Sequence, residues 1–200
     1  MERLLFIDFE FTMPEKTEKE RTHFPEIIEA GVVLVEDGKI IRQYRSFVKP
    51  EINPTLTERC KRFLQICQED VDQGITFREL IQTLHSFYRL GSTVVVTWGN
   101  MDMVVLRKSC RYWNIPFPFE GRERDLSIEY MRFYGERNQT GLTKALEQYG
   151  KKEKRKHHRA LEDALMTFEI FQYLQRDKQY LYNKAKNRIG DFVDLTRVRA

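Results

Sequence analysis

The 200-residue chain carries 34 basic and 30 acidic side chains, a formal charge of +4, with 41% hydrophobic and 12% aromatic residues. That is enough apolar material for one core of ordinary domain size, and too much for a disordered chain. A mean hydropathy of −0.58, with apolar runs only a few residues long near Leu4 and Val94, excludes a membrane-spanning helix.

The opening residues, MERLLFIDFEF, turn acidic by residue 8 and lack the shape of a signal peptide, so cytoplasmic residence is expected. Residues 3–9 read as a strand. Their run is continuous rather than alternating, as in a strand covered on both faces. Residues 12–26 are polar, contain two prolines and form a long loop. Residues 27–35 and 40–48 are strands, and Asp37-Gly38 between them marks a hairpin. From residue 55 to 90 the pattern is helical, broken at 72–74. Thr76 and Glu79 form a capping box ahead of Phe77, Leu80, Ile81, Leu84, Phe87 and Tyr88.

Residues 93–98 form a β-branched strand, 100–114 a helix, and 119–126 a final short strand. Helices follow at 127–134 and 141–149. The run KKEKRKHHR spans 151–159, and a helix with an apolar face spans 159–174. Residues 1–176 are expected to form one domain, with 177–200 a basic C-terminal extension. The order of elements predicts an α/β fold with a mixed sheet of about five strands flanked by helices. No glycine-rich phosphate loop follows the first strand.

The chemistry is carried by carboxylates. Asp8 and Glu10 share one strand face through their period of two. Two like charges at the end of a buried strand are costly unless a cation compensates them, although a strand end opening into solvent would also tolerate them. Asp102 lies at a helix start after a buried strand, where it can cap amides or border a ligand crevice. Asp163 lies five residues after His158, in mostly apolar helical surroundings. Cys60, Cys67 and Cys110 form no CxxC pair, and four histidines make a histidine-rich metal site improbable.

Asp8-Phe9-Glu10-Phe11-Thr12, Trp98-Gly99-Asn100-Met101-Asp102 and His158-Arg159-Ala160-Leu161-Glu162-Asp163-Ala164 come in an ordered series. Over roughly residues 3–175 this series resembles the DEDDh branch of the DnaQ-like 3′–5′ exonucleases, in particular the ERI-1-like group. Phe11 departs from the first motif by standing before the threonine. Glu26-Ile27-Ile28-Glu29 resembles the opening of the family's second strand.

The resemblance implies a ribonuclease H-like exonuclease fold. It also implies two Mg2+ or Mn2+ ions held by Asp8, Glu10, Asp102 and Asp163, with His158 as the base for water and His157 as its fallback. Hard cations suit oxygen ligands, and neutral imidazole suits a proton acceptor near pH 7. Phe11, Thr12 and Trp98 become candidate substrate contacts, though Phe11 could equally serve the core and Trp98 reads more readily as core. The basic residues 151–156 could guide phosphates or simply face solvent. His23 and His85 read as ordinary polar residues.

The implied reaction is hydrolysis of RNA or single-stranded DNA from a free 3′ end, with RNA ahead of DNA, releasing nucleoside 5′-monophosphates. A regulatory binding protein of the sporulation kinase-inhibitor type, using the same fold and a protein partner, is the alternative. A metal-dependent phosphatase or nucleotide hydrolase ranks third.

Overall fold

Strands β1 (Arg3–Phe11), β2 (Ile27–Glu36) and β3 (Lys39–Phe47) open the computed structural model, which describes residues 2–15, 23–151 and 159–186. Asp37 and Gly38, both at positive φ, close the hairpin between β2 and β3. β4 (Thr93–Thr97) and β5 (Glu123–Asp125) complete a sheet of order β3-β2-β1-β4-β5. The first three strands pair antiparallel, whereas β4 lies parallel to both β1 and β5. This is the expected mixed five-stranded sheet flanked by helices, the architecture of a ribonuclease H-like exonuclease.

β1 is covered on both faces, which explains its unbroken apolar run. Leu5, Ile7 and Phe9 face a core shared with α3 (Phe77–Phe87) and α4 (Met101–Tyr112). Leu4 and Phe6 face the other way, toward α5 (Leu126–Tyr134), α6 (Leu142–Gln148) and α7 (Ala160–Lys186). On that side the ring of Phe6 meets those of Phe168 and Phe171 at 5.2 and 5.5 Å. The short helices α1 (Glu58–Leu64) and α2 (Gln68–Asp72) cover a smaller core around Ile28, Leu56 and Cys60. Cys60 and Cys110 are buried thiols, and Cys67 is exposed.

Thr76 caps α3 through the expected reciprocal bonds with Glu79. Other boundaries differ from the sequence pattern. β1 runs on to Phe11 because β2 continues to pair with it across a register shift after Glu10. α7 runs to Lys186, well past residue 174, where the pattern ends the helix. Its apolar face ends near Leu174, but residues 175–186 contain no proline or glycine to stop it. Among the described residues no helix is long and apolar enough to cross a membrane.

Candidate active site

Three carboxylates from two elements converge. Asp8 and Glu10 project from the same face of β1, and Asp163 from the first turn of α7. Their ligand oxygens all lie within 4.8 Å of one another. β2 sets this meeting. Gly31 pairs with Asp8, and Glu29 with Glu10. A Cβ on Gly31 would run into the backbone of Ala160 and Leu161, so the glycine lets the start of α7 rest directly on the strand. The first turn is closed by the Asp163 amide donating to the Arg159 carbonyl at 3.0 Å.

Asp102 approaches from the other side of β1. It is 5% exposed, and its Oδ1 accepts the Phe9 amide at 2.9 Å, between the positions of Asp8 and Glu10. The preceding turn is held by Asp125, whose Oδ1 accepts from the amides of Gly99 and Ser127, each at 3.0 Å. Asp102 stands outside the group of three, yet its charge is felt there.

The electrostatics follow from burial. Loss of solvation, then the negative charges of Asp163, Glu29 and Asp102, push Glu10 up to about 8. Desolvation chiefly raises Asp102 to about 7, against the Phe9 amide, which stabilises its charge. Asp8 is held well above the carboxylate range by desolvation and by Asp102, Asp163, Glu10 and Glu29. Such a set is poorly satisfied by itself and well matched to a hard divalent cation, which prefers oxygen ligands and removes the repulsion.

The other candidates fall into different settings. Phe11 is partly buried at the end of β1 and packs on the core beneath α3 and α4. Thr12 is buried. Its Oγ1 accepts the Glu26 amide at 3.0 Å and lies 3.1 Å from His23 Nε2. Beside it is a cavity of about 200 Å3 lined also by Met13, Asn53 and Leu56. His23 is therefore tied to the first motif rather than idle in its loop. Trp98 packs edge-on against Tyr130 at 5.6 Å and donates Nε1–H to the Thr140 carbonyl at 3.0 Å. His157, His158 and basic residues 152–156 lie outside the described residues, and Lys151 is exposed.

Glu26 and Glu29, the ends of the segment that resembles the family's second-strand opening, act as supports whose partners the motif does not name. The Glu26 carboxylate accepts the amides of Glu51, Ile52 and Asn53, fixing the loop above the cavity. Glu29, fully buried, accepts from Arg159 through both oxygens: Nε to Oε2 and the terminal NH2 nitrogen to Oε1, each at 3.0 Å. A signal for the second was present: a glutamate inside the apolar run IIEAGVVLV demands a cationic partner.

Comparison with known proteins gives a consistent picture. The family model described as Exonuclease (RNase_T) matches residues 5–171. The "Probable 3′-5′ exonuclease KapD" of Bacillus subtilis (strain 168) is 46% identical over 195 residues, covering 98% of this chain and 95% of that protein. The human "3′-5′ exoribonuclease 1" is 30% identical over 204 residues, and the match spans 96% of this chain but only 58% of the human protein. Among solved structures, the nuclease domain of 3′hExo, described as a DEDDh family member bound to rAMP, superposes with a TM-score of 0.79. It is 28% identical, with 88% of this chain and 92% of that chain covered.

Proposed function

Because the chain belongs to the exonuclease family, and is a metal-dependent 3′–5′ exonuclease, we propose that it shortens RNA from a free 3′ end and releases nucleoside 5′-monophosphates. The observation that carries this reading is the convergence of Asp8, Glu10 and Asp163 within 4.8 Å, against a buried Asp102. RNA is favoured over DNA because the human relative is named an exoribonuclease and the superposed nuclease domain was solved with rAMP.

In this reading Asp8, Glu10 and Asp163 hold one Mg2+ or Mn2+ ion, and Asp8 with Asp102 a second. What a bound pair supplies is charge neutralisation at the scissile phosphate and an acidified water. The protein's own groups do the rest. Asp102 accepts the Phe9 amide, which holds it beside the strand that carries Asp8 and Glu10. His158 accepts the proton of the attacking water, a role suited to neutral imidazole near pH 7. Phe11 and Thr12, at the end of β1, border the 3′-terminal nucleotide. Lys151 and the basic residues that follow draw the phosphate backbone toward His158.

The test uses 5′-labelled single-stranded RNA and DNA of one sequence, with Mg2+ or Mn2+, alongside the Asp8→Ala and His158→Ala variants. The expected result is a ladder shortening from the 3′ end, faster on RNA and lost in both variants. Equal rates on DNA would remove the RNA preference. Absence of cleavage by the wild type would move the reading to a regulatory protein that binds a partner through this fold.

A further inference from the structure

The Glu29–Arg159 pair lies in the same row of the sheet as the site. Glu29 is the ladder partner of Glu10, so both side chains leave the same face of adjacent strands. It is fully buried, and its charge reaches both Asp8 and Glu10. By position and chemistry it is a carboxylate that a cation at Asp8, Glu10 and Asp163 would attract. Both of its oxygens are nevertheless taken by one guanidinium. That guanidinium is held in turn: its carbon lies 5.3 Å over the ring of Phe47, the residue facing Glu29 from β3. Arg45 Nε stands at 4.0 Å from Glu29 Oε1, at the solvent edge of the pair.

Arg159 also sits directly between His158 and the start of α7, and its carbonyl receives the Asp163 amide. One side chain therefore anchors the segment that carries the third motif to the strand beside the first. A lysine could supply the charge but not two parallel donors in a fixed fork.

We propose that Arg159 is a positioning residue with a double effect. It withdraws Glu29 from the cation shell, so that Asp8, Glu10 and Asp163 hold the ion without a fourth carboxylate. It also sets the distance from β1 to Asp163. This rests on the metal-dependent exonuclease reading, and it adds that the composition of the metal shell is enforced by a neighbouring ion pair.

The experiment compares wild type, Arg159→Gln, Arg159→Lys, Glu29→Gln and the double variant Arg159→Gln/Glu29→Gln. Each is checked for folding by circular dichroism, titrated with Mn2+ alone by calorimetry, and assayed on labelled RNA. In Arg159→Gln, kcat is expected to fall by about 10–100-fold, the usual cost of losing a partner just outside a metal shell, with KM little changed. Its Mn2+ binding tightens, because a freed carboxylate joins the shell. Glu29→Gln keeps wild-type Mn2+ affinity. The double variant returns to wild-type affinity and recovers part of kcat, while Arg159→Lys falls between.

Looser Mn2+ binding in Arg159→Gln, with no recovery in the double variant, would overturn the proposal in favour of plain structural support. A rise confined to KM would overturn it in favour of direct contact with the substrate. If Arg159→Gln does not fold, Arg159→Lys decides by the same directions of change. Wild-type cleavage with metal is the control that separates failure of this proposal from failure of the exonuclease reading.

Discussion

Asp8 and Gly31 face each other across the β1–β2 ladder, and the space a side chain would fill beside Asp8 is taken by the backbone of Ala160 and Leu161. A strand carboxylate and a helix carboxylate of the candidate cluster are thus brought together through a residue with no side chain. Gly31→Ala is expected to push α7 outward. It should destabilise the protein by about 1–3 kcal/mol, as overpacked sites do, and reduce activity more than an equally destabilising change elsewhere. Denaturant unfolding together with turnover at a permissive temperature checks this. Unchanged turnover in a destabilised Gly31→Ala protein would refute the coupling.

The acids oppose one another without a cation, so their charges cost stability, and under the proposed function those same charges serve turnover. Asp8→Asn and Glu10→Gln should abolish turnover, beyond the roughly 10–100-fold loss typical of outer partners. Both should melt at a higher temperature than the metal-free wild type near pH 8. Thermal melts in a chelator, set beside activity in Mg2+, give the comparison. A lower melting temperature for both variants would contradict the electrostatic account.

The pH dependence has a definite sign. Glu10 is raised to about 8 and Asp102 to about 7 in the folded protein, above the ordinary range near 4 that applies when unfolded. The folded state therefore binds more protons across that window. The contribution of these groups is fully present below the ordinary carboxylate range and is lost as pH rises through 7 and 8. Carboxylates such as Glu129, lowered chiefly by its bonds to Arg124, act in the opposite direction at acid pH. The clean measurement is the melting difference between wild type and Glu10→Gln without metal. It should widen from pH 5 to pH 8 and close when Mg2+ is added to the wild type.

Trp98 is placed by its contacts as a support for the turn before Asp102. Trp98→Phe removes the bond to the Thr140 carbonyl and should cost about 1 kcal/mol, leaving KM for RNA within twofold or so, well below the cost of a lost base stack. A large rise in KM with unchanged stability would assign Trp98 to the substrate instead.

Local pattern made much of this molecule legible. The apolar run of β1, the Asp-Gly hairpin and the Thr76–Glu79 box each state their structure within a few residues, because the bonds they make are local. Asp8 and Glu10 are readable as a pair for the same reason. Asp102 and Asp163 are not: Asp102 has an ordinary helix-cap explanation and Asp163 that of an ordinary exposed helix residue, and only their order along the chain singles them out. Glu29 and Arg159 are 130 positions apart, and no local rule connects them. The length of α7 is a different case. Hydrophobic periodicity reports which turns are buried, and residues 179–184 of α7 are exposed, so the pattern ends before the helix does.

The Asp102–Phe9 hydrogen bond has a practical consequence. The acceptor is one oxygen of the carboxylate, and an asparagine carries the same acceptor on the same carbon skeleton. Asp102→Asn can therefore keep α4 pinned to β1 while deleting the charge, which makes scaffold and chemistry separable by exchanging a single atom. Under the proposed function, a protein silenced in that way would keep the shape of the active one, and would be the form with which to trap an uncut 3′ end for crystallography or for capture from a pool of RNAs.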